Sequence, residues 1–274
     1  MSNILCIYHG NCADGFASAW VVRKFYKEVY LPDDLEFHAG VYQNPPPDVT
    51  GKDVILVDFS YKRPILDEMK SKAASILILD HHKTAMEDLQ GFEGAVFDME
   101  RSGAMITWNH FFPNLEAPRL IDHIQDRDLW QFKIPRTREV QAAIFSYPYD
   151  FDIWDKLMEQ DVYHLFLEGV TIERKHFKDI HELLAVCQTR TKIAGWNVPV
   201  ANLPYIFSSD AGHIMGKGEP FAACYMDTPE GRVYSLRSSD DGLDVGEIAK
   251  KFGGGGHKHA AGFRVKFDQD ISHG

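Results

Sequence analysis

The sequence predicts an α/β fold built as an N-terminal parallel-sheet domain joined by a helical connector to a smaller α/β C-terminal domain. Three observations predict it. Short apolar runs alternate with helix-patterned segments through residue 80, a helical stretch comes next, and strand signals return after about residue 190. Strands that alternate with helices imply βαβ units and a parallel sheet. The expected boundaries are 1–188 for the first domain with its connector and 189–274 for the second.

Taken in order, "NILCIY" reads as a strand, "DGFASAWVVRKFYKEV" as an amphipathic helix, and "LEFHAGVY" as a second strand. "NPPPDVTGK" is a proline-rich surface loop, followed by the buried strand "DVILVDFS", the helix "KRPILDEMKSK" and the buried strand "SILILD". Helical periodicity then runs through "SGAMITWNHFF", "APRLIDHIQDRDLW", "DIWDKLMEQ" and the long "YHLFLEGVTIERKHFKDIHELLAVCQ". In the last third "KIAGWNVPVANL", "PFAACYMDT" and "RVYSLRSS" carry strand signals, with "TPEG" as a hairpin turn. The helix "DVGEIAKKF" leads into "GGGGHKHAAGF" and a closing strand.

Composition bounds the function. With 274 residues, 45% hydrophobic and 25% charged, the chain is that of a globular protein with a sizeable core. No apolar run approaches the roughly 18 residues a membrane span needs, and "MSNILCIYHG" reads as a strand rather than a signal peptide. The four cysteines, Cys6, Cys12, Cys187 and Cys224, form no CxxC pair, which suits a reduced, cytoplasmic protein. A net charge of −11 disfavours a broad basic face for long duplex DNA and argues for small anionic cargo, because bound cations can supply positive charge locally.

Titratable groups gather at strand ends. "CIYHGNCADG" carries His9 and Asp14, "ILVDFS" carries Asp58, and "LILDHH" carries Asp80, His81 and His82. A lone aspartate there is ordinarily a helix cap. In a parallel sheet these three tips share one edge, where open α/β folds place their ligands. Mixed carboxylates and imidazoles suit a binuclear site for Mn²⁺ or a similar ion. Two metals about 3.5–4 Å apart can clamp a phosphoryl group and activate a water.

"HGNCADG", "ILVDFS", "LDHHKT" and, far downstream, "GGGGHKHAAGF" together resemble the DHH phosphoesterase superfamily. The likeness is to the branch with a C-terminal DHH-associated domain, which includes RecJ-like exonucleases, nano-RNases and linear-dinucleotide phosphodiesterases. It spans about residues 4 to 267. The resemblance implies His9 and Asp14 as metal ligands, Asp58 as the carboxylate bridging two metals, and His81 on the second metal with Asp80 orienting it. It implies His82 facing the substrate phosphate, and a further aspartate from "QDRDLWQFK". Asp128 is favoured there, having Phe132 four residues on, with Asp126 in reserve and Arg127 as a phosphate contact. In the C-terminal domain it implies a nucleotide-end grip by Arg237, Ser238, Gly255, Gly256 and His257, across an active cleft between the domains.

One departure matters. The first motif of the family reads Asp-x-Asp, and Cys12 stands at the first aspartate. A thiolate there would favour a softer metal, a non-ligating thiol would weaken the first metal site, and a buried thiol binding nothing is an equal alternative. The implied cofactor is therefore a divalent metal, with Mn²⁺ first and Mg²⁺, Co²⁺ or a softer ion behind it. The expected activity is hydrolysis of short single-stranded oligonucleotides or linear dinucleotides to mononucleotides, with no membrane partner and a homodimer allowed. Rival readings are a RecJ-like exonuclease on longer single strands, a small-phosphate hydrolase, and a nucleotide-binding protein with a degraded metal site.

Overall fold

Strand β1, Ile4–His9, pairs in parallel with β2, Leu35–Gly40, on one side and with β3, Asp53–Val57, on the other. Strand β4, Ser75–Asp80, and the short β5, Ala95–Phe97, extend the sheet in the same direction, giving the order β2-β1-β3-β4-β5. This computed structural model of the chain describes residues 3–29 and 35–273.

The central strands are apolar at nearly every position because both faces are covered, as expected for a parallel sheet. Leu5, Ile7, Val54, Leu56 and Ile78 point to one face and pack on Leu66 and Met69 of helix α2, Arg63–Lys72. Cys6, Ile55, Val57 and Leu79 point to the other, against Ala19 and Val22 of α1, Ala13–Val29, and Ile106 of α4, Gly103–Phe111. Helix α3, Lys83–Asp88, is short and comes directly after β4.

Beyond the sheet, α1 and α4 join a helical layer with α5, Arg119–Asp128, α6, Thr137–Ile144, and α7, Phe151–Glu159. Its centre is Trp154, fully buried, whose indole N–H donates to the Pro148 carbonyl at 3.2 Å. Trp20 and Arg23 of α1 both reach Asp155 of α7, at 2.7 Å and at 2.9–3.0 Å, which fixes the register of these helices. Helix α8, Val162–Cys187, packs its Gly169 on the Glu139 backbone so closely that a Cβ would lie 1.7 Å from a carbonyl oxygen.

The chain divides into two compact units, Met1–Glu173 and Arg174–Gly274, so the division falls within α8. The second unit is built on a sheet of its own. The strand signals of "KIAGWNVPVANL" fall in two strands, the end of β6, Gln188–Ile193, and β7, Trp196–Asn202. Ala194 and Gly195 both adopt positive φ, 49° and 91°, and turn the chain into an antiparallel hairpin. Helix α9, Ser208–Met215, connects β7 to its parallel neighbour β8, Ala222–Thr228. Strand β9, Gly231–Arg237, returns antiparallel through the expected turn. Helix α10, Val245–Lys250, then precedes β10, Gly255–Gly256, and β11, Ala260–Val265. The strands lie in the order β10-β11-β9-β8-β7-β6.

Among the described residues no helix is long and apolar enough to cross a membrane, and all four cysteines are free thiols. Replacing Trp154 with Ala should empty the centre of the helical layer and cost about 3–5 kcal/mol of stability. Urea unfolding of the variant checks this, and a loss below about 1 kcal/mol would show that the layer collapses to fill the space.

Candidate metal centre

The C-terminal ends of β1, β3 and β4 lie side by side, so the residues just beyond each strand meet in space. Asp58 comes directly after β3 with φ of 53°, a left-handed conformation that costs a non-glycine residue about 1–3 kcal/mol. Its N–H still bonds to Leu79 O at 2.9 Å, so the chain stays in register while the carboxylate swings out. His81 and His82 stand just past β4. Asp14 lies in the first turn of α1, just past the loop that leaves β1.

Asp58 is the hub. His81 Nε2 lies 3.0 Å from its Oδ1 and His9 Nδ1 lies 3.3 Å from its Oδ2. The same His81 nitrogen is 3.5 Å from Asp128 Oδ2 and 3.8 Å from Asp14 Oδ2. Within this unit two sets of donor atoms converge within 4.8 Å, Asp14/Asp58/His81 and His9/Asp58/His82, and Asp58 belongs to both. Asp14, Asp58, Asp80 and His81 are all at most 2% exposed.

Crowding sets the charges. Burial first, then the Asp58 and Asp128 carboxylates, pushes Asp14 well above the usual carboxylate range. Burial also raises Asp128, and Asp58 adds to this against the attraction of His81. Burial would raise Asp58 as well, but hydrogen bonds from His81 and His9 outweigh it and hold Asp58 well below that range. Burial opposes charge on the imidazoles too. Even so, bonds to Asp58 and Cys12 hold His9 well above its ordinary value. Asp128, Asp58 and Asp14 do the same for His81.

The donor set fits a divalent cation. Asp58 Oδ2 has the His9 ring at 3.3 Å, while Asp80 Oδ2 and Asp128 Oδ2 are buried carboxylate oxygens with no hydrogen-bond partner. Such groups ordinarily find one, since an unsatisfied buried acceptor is costly. A cation held by Asp14, Asp58 and His81, with Asp128 alongside, would satisfy the Asp58 and Asp128 oxygens and remove the repulsion between those aspartates.

The remaining sequence candidates are placed differently. Asp80 accepts from His82 Nδ1 at 2.7 Å and from the His81 N–H at 2.7 Å, so the ring it orients is that of His82, not His81 as the resemblance implied. Asp126 is not a reserve ligand. Its carboxylate is taken by the Lys133 and Ile134 N–H groups at 2.8 and 3.1 Å, which clamps the loop after α5. Arg127 stacks on Trp130, its guanidinium carbon 4.4 Å from the ring centroid. Cys12 bonds to His9 rather than joining either convergent set, and burial pushes its thiol up.

In the second unit Arg237 donates to Ser209 Oγ at 2.7 Å and to the Leu236 carbonyl at 2.8 Å. Ser238 is 3% exposed. Its hydroxyl bonds to the Leu243 carbonyl and to His259 Nδ1, so its one proton is used inside the unit and not on a ligand. Gly255 and Gly256 form β10 against Gly262 and Ala261. Gly256 has φ of 140° and a Cβ there would meet the Ala260 carbonyl at 2.6 Å, so hairpin packing demands a glycine. The His257 N–H closes this hairpin on Ala260 O at 2.8 Å.

Sequence reasoning missed how Asp14 is held. Ser102 caps α4 by accepting from the Met105 N–H, which aims the next two N–H groups at Asp14. Gly103 donates to Oδ2 at 2.6 Å and Ala104 to Oδ1 at 3.1 Å. A Cβ on Gly103 would lie 2.4 Å from Asp58 Cβ and 2.9 Å from Asp14 Oδ2. The signal was in "RSGA", a cap followed by a residue with no side chain. Tyr42 was also missed; its ring stands edge-on to His9 at 5.3 Å and to His82 at 6.0 Å.

Gly103→Ala should therefore displace both aspartates. Mn²⁺ affinity, measured by calorimetry, is expected to fall about 10–100-fold, the range found when groups supporting metal ligands are lost. Unchanged affinity would mean that α4 does not position the pair.

Residues 211–272 match the DHHA1 domain. An uncharacterized protein of Acanthamoeba polyphaga mimivirus is 33% identical over 278 residues, covering 93% of this chain, and the chain spans 66% of that relative's length. Among solved structures, the DHH domain of a member of the S1p family of ribosomal proteins aligns over 97% of this chain and 83% of its own, with a TM-score of 0.61 at 14% identity. RecJ from Thermus thermophilus, solved with Mn²⁺, aligns over 96% of this chain and 49% of its own, with a TM-score of 0.54 at 14% identity. At these identities the likeness is one of fold. The C-terminal part of the chain thus matches the DHHA1 domain, and the chain shares its fold with DHH-domain and RecJ structures.

Proposed function

We propose that this protein is a divalent-metal-dependent phosphodiesterase that hydrolyses short single-stranded oligonucleotides or linear dinucleotides to mononucleotides. The observation that carries the reading is the pair of donor sets sharing Asp58, with carboxylate oxygens left unpartnered beside them. Asp14, Asp58 and His81, with Asp128 alongside, would hold one cation, and His9 and Asp58 would hold the other. When bound, such ions polarise phosphoryl oxygens and lower the pKa of a water. Mn²⁺ is the first choice, because carboxylate and imidazole donors together suit it and the similarly folded RecJ was solved with it.

The chain's own groups supply orientation. Asp80 holds the His82 ring through Nδ1, which sets the other ring nitrogen for a hydrogen bond to a phosphoryl oxygen. In the C-terminal unit, Arg237 and the Gly255–His257 hairpin are the groups proposed to hold the nucleotide end; a guanidinium is suited to a bidentate phosphate grip. The net charge of −11 supports short substrates over long ones.

Two measurements test the reading. Purified protein with Mn²⁺ should convert a dinucleotide to mononucleotides, and Asp58→Asn should lower turnover by more than about 100-fold, beyond what loss of a supporting group alone brings. No product from a dinucleotide or a heptanucleotide with Mn²⁺, Mg²⁺ or Co²⁺ would refute it. The second measurement concerns protons. His9 and His81 hold their protons well above the ordinary imidazole value but must be neutral to ligate a metal. Mn²⁺ binding at pH 7 should therefore release protons, and affinity should climb as pH rises. Calorimetry in buffers of different ionisation enthalpy reads the release; a count of zero would remove the imidazoles from the ligand set.

A further inference from the structure

The stretch that delivers Asp128 carries a second feature that the metal centre does not use. Arg127 lies between two rings, 4.4 Å from the centroid of Trp130 and 5.8 Å from that of Phe145. Arg138 lies 3.7 Å from Phe132 and 5.6 Å from Trp130. The Trp130 and Phe132 rings themselves meet edge to face at 4.9 Å. The result is an alternating ladder of guanidinium and aromatic groups, ending in Phe145, which is 51% exposed. Arg136 continues the pattern on Phe166 at 4.5 Å and Tyr163 at 5.2 Å. Those two rings and Arg136 line a cavity of about 310 Å³.

The backbone here is strained. Trp130, Phe132 and Arg136 have φ of 56°, 48° and 74°, a region that bulky side chains rarely enter. Asp126 enforces it. Its carboxylate takes the Lys133 and Ile134 N–H groups, and its carbonyl takes those of Gln131 and Phe132. A buried acid is spent on holding two aromatic residues in a costly conformation, the kind of outlier that marks a working surface.

We propose that the Arg127–Arg138 stretch is a track for single-stranded nucleic acid extending from the phosphate that is cut. Single-strand binders combine cations that track the backbone with aromatic rings on which bases stack. This ladder offers guanidinium groups and, at Phe145, an exposed ring on a chain whose overall charge is −11. It is continuous with the metal centre, since Asp128, within the stretch, places Oδ2 3.5 Å from His81 Nε2. The inference rests on the phosphodiesterase reading and narrows it, favouring oligonucleotides of several bases over dinucleotides.

The test compares a dinucleotide with a heptanucleotide. With Mn²⁺, kcat/KM should be about tenfold higher for the longer substrate, the gain expected from one or two stacked bases. Phe145→Ala and Arg138→Glu should each cut that ratio about tenfold while thermal unfolding stays as in the parent. A parent ratio within twofold of unity, or variants that keep the full preference, overturns the track. If neither substrate is cleaved, the phosphodiesterase reading fails by itself. Fluorescence anisotropy in EDTA then decides the track: a labelled heptanucleotide must bind the parent about tenfold tighter than a labelled dinucleotide, and lose that margin in Phe145→Ala. Equal affinities overturn it.

Discussion

Three carboxylates, the buried Asp14 and Asp58 and the partly buried Asp128, crowd around one imidazole nitrogen at the edge of a parallel sheet. Like charges at such distances repel strongly in a medium poorer than water, and the protein can meet that cost by protons or by metal ions. Much of the surrounding structure answers to this constraint. Asp58 leaves its strand in a left-handed conformation, which keeps the ladder bond to Leu79 and still brings its carboxylate to both histidines. The start of α4 turns two N–H groups on Asp14, and Gly103 leaves the space that a side chain would take from both aspartates. The site is built by packing as much as by charge.

The second unit uses the same economy. Its glycine-rich segment forms a tight hairpin in which Gly254 and Gly256 sit where a Cβ would strike opposing backbone. Glycine is therefore demanded by the fold there, whatever else its N–H groups do. Gly212 plays a like part in α9, where a Cβ would come within 2.7 Å of the Arg237 side chain. The guanidinium is thereby laid along the helix and tied to Ser209.

Much of this was legible in the sequence, and the reasons are specific. Strands β1, β3 and β4 are buried on both faces, so each reads as an unbroken apolar run ending in a polar group, and adjacency comes from βαβ connection. What stayed hidden was short or set by tertiary contacts. Helices α3 and α6 and strand β5 span too few residues to show a period. The β6–β7 hairpin turns on Ala194, an alanine in a conformation that no composition signal announces. The partner of Asp80 could not be read either, because adjacent imidazoles leave a strand end in different directions and only coordinates show which ring is met. Asp126 and Asp128 look alike on paper; they differ because one faces the amides of its own loop and the other faces His81.

The guanidinium–aromatic ladder also has a bearing on how a polyanion would arrive. At a distance the molecule presents a surplus of eleven negative charges and repels it; within a few ångströms the stacked arginines attract it. These two influences have different ranges, and electrolyte shortens only the longer one, since the screening length is about 10 Å at 0.1 M. Moderate ionic strength would then speed encounter instead of slowing it, the reverse of the behaviour of a basic nucleic-acid binder.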